Sequence, residues 1–210
     1  MPNLFMRPWW KVGRAVEILI TAMALVFLAP LMVMIALTVR LTDGGPALYR
    51  HTRIGRGGQP FDCLKFRTMA VDADQRLNEL LEADPAARIE WDRSQKLRFD
   101  PRITRVGEFL RASSLDELPQ LLNVLRGDMS LVGPRPIVAG EVARYGIHFR
   151  HYCAVRPGLT GLWQVSGRSD VSYRERVVMD VAYVRAKCVT LDLKILFATL
   201  PAVVMRRGSY

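Results

Sequence analysis

With 210 residues, the chain has room for one compact domain plus a membrane element and excludes two large domains. Its net charge of +10 and sequence pI near 10.1 point to anionic partners: a lipid surface, phosphorylated substrates or nucleic acid. Cys63, Cys153 and Cys188, odd in number and far apart, exclude a disulfide framework or a zinc cluster and read as buried small side chains in a reducing compartment.

Arg7, Lys11 and Arg14 precede an uncharged apolar run, Ile18–Val39. The run is too long for a signal-peptide core and lacks a small-residue cleavage site at its end, so it reads as retained. As a helix it would be about 33 Å long, enough to cover a bilayer core. Three placements fit that length: a re-entrant helix, a straight span and a buried core helix. Pro30 lacks an N–H and clashes one turn back, which predicts a bend near Val26–Pro30. Arg40, Arg50, Arg53 and Arg56 follow the run, so basic flanks on both sides give no inside–outside bias. Both features favour the re-entrant form, with a broad kink that keeps its helix rather than an open loop in lipid.

Beyond it, Thr42–Pro46 is a turn. Ala47–Arg53 and Phe61–Met69, joined through Gly55–Gly58, predict a hairpin or part of a small sheet, one face of which carries Lys65 and Arg67. Ala73–Leu81 has helical spacing, limited by Pro85, and Asp100-Pro101 marks a turn before a short Ile103–Gly107 region. Ser114–Leu125 is the best central helix, packing Leu118, Leu121, Leu122 and Leu125 and stopping at Gly127. Gly127–Pro136 is turn-rich, Gly140–His151 predicts a helix, and Arg156-Pro157-Gly158 a turn. Val171–Lys187 is a helix; Leu191–Met205 is another, ending in Arg206-Arg207, that suits either the membrane interface or the core. The fold class is α/β, mainly helical with a small hairpin or sheet.

Ser114-Leu115-Asp116-Glu117 fits a capping box, Ser114 accepting from the Glu117 N–H while Glu117 reaches back. Asp116 then lies in a first helical turn, where the helix field lowers a carboxyl's pKa. Capping alone explains this pattern, but adjacent carboxylates near basic residues can also hold Mg²⁺ while an ionised Asp116 attacks phosphorus. Anion-binding candidates are Lys65, Arg67, Arg102, Arg105, Arg111, Arg135, Arg156 and Arg168. Arg135 is the sharpest, because Gly133-Pro134 and Pro136 constrain the backbone around its guanidinium. Asp128 suits a metal or a structural cap. Asp180 and Tyr183 share a helix face and suit a polar ligand or a local network, and Trp163-Gln164 with Ser166–Arg168 suits a substrate rim. His51, His148 and His151 make no metal site, and phosphate-loop, dinucleotide-binding and nucleophile-elbow motifs are absent.

These motifs together resemble the bacterial sugar transferases, the monotopic phosphoglycosyl transferases. The resemblance covers nearly the whole chain. It rests on the N-terminal apolar segment, Lys65–Met69, Ser113–Asn123 with Asp116-Glu117, Gly127–Pro136, and Arg156–Arg168 with Pro157–Gly161. It implies a basic flank and re-entrant helix over 1–41, hinged at Ala29-Pro30, and a catalytic body over 42–210 on the cytoplasmic side of the bacterial inner membrane. Family members often have Ser where this chain has Ala29. The resemblance further implies Asp116 as nucleophile, Glu117 as its acidic partner, Mg²⁺ as cofactor, with Asp128 as a further candidate ligand, and the basic side chains as phosphate holders. The implied reaction moves sugar 1-phosphate from a UDP-sugar to undecaprenyl phosphate, releasing UMP, among anionic lipids and without nucleic acid. The Gly161–Arg168 stretch and the Gly208-Ser209-Tyr210 ending resemble hexose-type members, favouring galactose or glucose; N-acetylated sugars stay open, as does oligomeric state. Two rival readings share parts of the pattern: a membrane-associated metal-dependent pyrophosphatase, and a membrane-tethered nucleic-acid-binding protein supported by net charge alone.

Overall fold

The computed structural model describes residues 9–94, 97–166 and 171–204. Its first element, α1, runs Trp9–Asp43. The helix passes Pro30 without a break, so the proline's lost hydrogen bond is absorbed inside retained helix, as predicted. Asp43 ends it before Gly44, and Gly13–Asp43 is long and apolar enough to cross a membrane.

How α1 is held decides what that length means. Near its start, Thr21 is fully buried, its hydroxyl bonding back to the Glu17 carbonyl. Near its end, Ile35 and Val39 pack with Phe66 and Leu110 in one cluster, supported by Leu31 and Met32. Between these anchors Val26 and Phe27 stand 78% and 83% exposed. Exposed apolar side chains continue along one side of α1 from Leu19 to Leu41, and a helix held by the body on its other side is consistent with monotopic insertion.

The hairpin forms from β1 (Leu48–Ile54) and β2 (Pro60–Phe66), antiparallel with Tyr49 opposite Lys65 and Arg53 opposite Phe61. The helix α2 covers Ala73–Ala83. Pro85 ends it, as expected, but also opens α3 (Pro85–Ser94), where Asp84 caps the Ala86 and Ala87 N–H groups. A fourth helix, α4 (Arg105–Ser113), replaces the short region expected near Ile103, with Thr104 as its cap. Gly107 lets α4 lie directly on the chain leaving β2: a Cβ there would stand 1.9 Å from the Thr68 carbonyl oxygen. Gly107→Ala is therefore expected to cost about 1–3 kcal/mol through forced separation, read as a lowered midpoint of thermal unfolding.

The central helix expected over Ser114–Leu125 is divided into a 3₁₀ turn, Leu115–Glu117, and α5 (Gln120–Arg126). Beyond Gly127 the turn-rich stretch contains β3 (Ser130–Val132). The helix expected over Gly140–His151 is also divided, into α6 (Val142–Tyr145) and α7 (Phe149–Cys153), by Gly146 at φ 50°. Next, β4 (Gly158–Thr160) pairs parallel with β3. Gly133, directly after β3, has no space for a side chain, since a Cβ would meet the Arg156 carbonyl oxygen at 2.5 Å. Three helices finish the described chain: α8 (Leu162–Ser166), α9 (Tyr173–Ala186) and α10 (Val189–Val204). In α10, Ile195 packs with Val132 and Tyr183, as the core reading expects, while Val189, Leu193 and Phe197 form an exposed apolar stripe on the opposite face. Arg206-Arg207 lies outside the described residues.

Candidate active site

The acidic pair owes its position to Ser114, the one non-glycine residue at positive φ among the described residues, at φ 58° and ψ 15°. Ser114 closes α4 in the left-handed conformation and starts the 3₁₀ turn that carries Asp116 and Glu117. The expected capping box does not form. Ser114 makes no side-chain cap, and Glu117 turns to two cations instead, which outweigh a single neutral cap bond. A β-branched residue tolerates the left-handed region poorly. Ser114→Val is expected to cost about 1–3 kcal/mol and to displace the acidic turn, with Ser114→Gly tolerated; unfolding midpoints and activity of the two variants check this.

Lys65, on β2, bridges the pair. Its Nζ lies 2.7 Å from Glu117 Oε1 and 3.5 Å from Asp116 Oδ2. Arg135 donates to the same Glu117 Oε1 at 3.2 Å. Burial alone would raise the Glu117 pKa, but Arg135 and Lys65 outweigh it and hold the carboxyl at about 2. Its ion pairs thus contribute stability above the ordinary 4.5, lost only as pH falls toward about 2. Asp116 behaves oppositely. Burial and the neighbouring Glu117 charge raise its pKa above 3.8, against the pull of Lys65 and Arg111. The lowered value expected for Asp116 is found on Glu117 instead, because Arg135 and Lys65 lower the Glu117 pKa while burial, at 8% exposure, raises that of Asp116.

Two adjoining clefts open on the Glu117 side of this pair; Glu117 lines the first, and Asp116 lines neither. One is lined by Lys65, Glu117, Gln120, Arg53, Arg135 and Gly158. The other shares Arg53, Arg135 and Pro136 and continues past Glu141, Trp163, Tyr173 and Arg176. Arg176 lies 4.6 Å over the Trp163 ring. Sequence reading missed Arg53, Gln120, Tyr173 and Arg176 as site residues. Arg53 was within reach: strand alternation places it on the hairpin face that carries Lys65.

Other predicted phosphate holders go elsewhere. Arg67 clamps Asp43 at the end of α1 and lies within 3.5 Å of the Val39 carbonyl. Arg156 donates to the Gly127 carbonyl at 2.7 Å, and Arg102 pairs with Asp100 at 2.7 Å. Arg111 donates to Thr68 Oγ1 at 2.9 Å and acts on Asp116 through its charge. Arg168 lies outside the described residues. Asp180 and Tyr183 are buried to 2% and 1% exposure and line neither cleft. Asp180 accepts from Tyr145, at the cleft wall, at 2.6 Å, and Tyr183 donates to the Val132 carbonyl and to Asp192.

The metal set named from sequence is not assembled as a trio. Asp128 sits beyond the far end of α5, where it accepts from Asn123 at 3.1 Å, and no three His, Cys, Asp or Glu side chains gather among the described residues. Asp116 and Glu117 alone still fit Mg²⁺, which is commonly held by one or two carboxylates plus substrate phosphates. Lys65 and Arg135 both occupy Glu117 Oε1, which leaves Oε2 for such a role.

The sequence pattern of the bacterial sugar transferases matches residues 9–206, from α1 through the acidic pair to the end of α10. The chain belongs to that family. It is thereby an enzyme of the phosphoglycosyl transferase class. This transferase is 51% identical over 197 residues to the exopolysaccharide production protein ExoY of Sinorhizobium fredii, covering 94% of this chain and 87% of that one. It is 50% identical over 208 residues to the undecaprenyl-phosphate galactose phosphotransferase of Salmonella typhimurium, covering 99% and 44%. Against the UDP-glucose:undecaprenyl-phosphate glucose-1-phosphate transferase of Caulobacter vibrioides it is 41% identical over 205 residues, covering 94% and 71%. The transferase thus spans less than half the length of the Salmonella relative and most of ExoY.

Proposed function

We propose that the chain transfers a hexose 1-phosphate, galactose or glucose, from a UDP-sugar to undecaprenyl phosphate, initiating exopolysaccharide or other glycoconjugate synthesis. The observation that carries this reading is the Asp116–Glu117 pair bridged by Lys65, with Glu117, Lys65 and Arg135 lining a basic cleft on a membrane-seated body. Relatives named for galactose and glucose transfer support the choice of sugar.

In the first half, an ionised Asp116 oxygen bonds to the sugar-linked phosphorus and the bond to UMP breaks, UMP leaving with its electron pair. In the second, a phosphate oxygen of the polyprenyl acceptor attacks that phosphorus and frees the Asp116 carboxylate. The product is polyprenyl diphosphate sugar. Lys65, Arg53 and Arg135 line the cleft where the diphosphate charge would lie, and cations fixed in a partly dry site stabilise it most as it builds on the leaving phosphate. Asp116 and Glu117 would hold Mg²⁺, which supplies charge neutralisation at the diphosphate. Glu117, ionised at about 2 and upward, serves the site as an anion, not as a proton store near neutral pH. With α1 in one leaflet, the body faces the cytoplasm, and the acceptor arrives confined to the same surface, which raises its effective concentration. The basic surface and the apolar stripe of α10 would rest on anionic inner-membrane lipid.

The test mixes the purified chain, Mg²⁺, a panel of UDP-sugars and undecaprenyl phosphate. Equal yields of UMP and lipid-linked sugar, largest with UDP-galactose or UDP-glucose, are expected. Hexose phosphate released to water at the same rate without acceptor would select the pyrophosphatase reading instead.

A further inference from the structure

We propose that Glu17, working with Arg14, is a positioning residue for the donor site: the membrane helix supplies the missing edge of β3 and thereby places Arg135. This rests on the donor reading above.

The strand β3 is three residues long and pairs only with β4, itself three residues long, among the described residues. Beyond the strands the pairing continues through the Gly133 N–H to the Thr160 carbonyl and the Gly158 N–H to the Pro134 carbonyl, so the β4 side is bonded up to the residue before Arg135 while the opposite edge has no strand among the described residues. Ser130 gives its N–H to the β4 side, bonding the Pro157 carbonyl, so the Leu131 N–H points to the open edge. Glu17 Oε1 takes that N–H at 2.6 Å and the Ser130 hydroxyl at 2.5 Å. A side-chain carboxylate from α1 thus stands where a third strand would. Arg14 bonds the other Glu17 oxygen at 2.6 Å and donates to the Val124 carbonyl in the last turn of α5, which also accepts the Gly127 N–H.

An ordinary surface pair three residues apart on a helix would do none of this. Here both side chains are largely buried, at 14% and 16% exposure, and both reach across to other elements. The elements they reach matter. The acidic turn leads directly into α5, and β3 leads through Gly133 and Pro134 to Arg135. The Arg14–Glu17 pair therefore ties α1 to both sides of the Glu117–Arg135 contact. Loss of the Glu17 contacts frees one edge of β3, and Arg135 drifts from the cleft. A displacement of an ångström is worth on the order of 10²-fold in rate. The donor half-reaction, which uses no lipid acceptor, then depends on a residue of the membrane helix.

The test uses the full chain in lipid nanodiscs with Glu17→Gln, Glu17→Ala and Ser130→Ala. Deuterium uptake across residues 130–136 and UMP release are both measured, with donor and acceptor varied separately. Faster uptake in Glu17→Gln and a fall of 10-fold or more in donor kcat/KM, with the acceptor KM unchanged, are expected; Ser130→Ala shows a smaller effect of the same kind. Should Glu17→Ala fail to fold, the other two variants decide. Wild-type uptake in Glu17→Gln, or a loss shared equally by donor and acceptor, overturns the proposal. A wild-type enzyme releasing no UMP from any UDP-sugar overturns the donor reading, and this role with it; altered uptake would then leave Glu17 as a structural clamp.

Discussion

Asp116→Asn is expected to abolish formation of a phosphosugar–enzyme species and to lower turnover by at least about 10⁴-fold, with the fold retained. The amide is nearly isosteric, and among the described residues the wild-type carboxylate makes one ion pair, a long one of 3.5 Å to Lys65. Removing its charge also relieves the repulsion from Glu117 that raises the Asp116 pKa. Thermal unfolding at or above the wild-type midpoint should therefore accompany the loss of activity. That combination separates a chemical role from a structural one. Residual turnover within 10-fold of wild type would remove Asp116 from the reaction.

Lys65→Met is the second large effect. Among the described residues, the ammonium is the one group paired with both carboxylates. Without it Asp116 and Glu117 face each other with Arg135 and Arg111 as the remaining cations, and a cleft cation for the diphosphate is lost. Loss of about 10²–10³-fold in donor kcat/KM is expected from removing such an electrostatic contact. The pH profile should move as well. Asp116 must be ionised to attack, and burial already raises its pKa above 3.8, so the acid limb of the wild-type donor step is raised from the ordinary aspartate value. Lys65 lowers that pKa, so its removal shifts the limb further toward neutral pH. An acid limb that stays in place in Lys65→Met would mean that another group sets it.

Much of this site was readable from residue order, and the part that was not has physical reasons. Hydrophobic run length, Pro30 and the flanking charges led to a membrane helix with retained structure at its kink, because those signals are local. The hairpin, α2, α9 and α10 follow from periodicity over seven residues or more. Three-residue strands such as β3 and β4 carry too few positions for any period, and their pairing is set by a close approach at Gly133. The acidic pair was visible but its local setting was not. A serine in the left-handed region leaves no mark in sequence, so Ser114 read as the start of a helix and not as the end of one. The lowered pKa expected of Asp116 is likewise absent, because burial and the Glu117 charge raise it. Arg67 shows another limit: it lies two residues from Lys65, yet it turns to Asp43 while Lys65 turns to Glu117. Alternation fixes the face of a strand, and only tertiary placement chooses the partner.

The account stands on covalent capture of the sugar phosphate by one side chain. The direct measurement is intact-protein mass spectrometry of the chain mixed with UDP-galactose or UDP-glucose and Mg²⁺ without lipid acceptor, followed by peptide mapping. A hexose-phosphate adduct on the peptide holding Asp116, discharged when undecaprenyl phosphate is added, is the predicted result. UMP release that strictly requires the acceptor and leaves no adduct, or an adduct mapped to another residue, would contradict it.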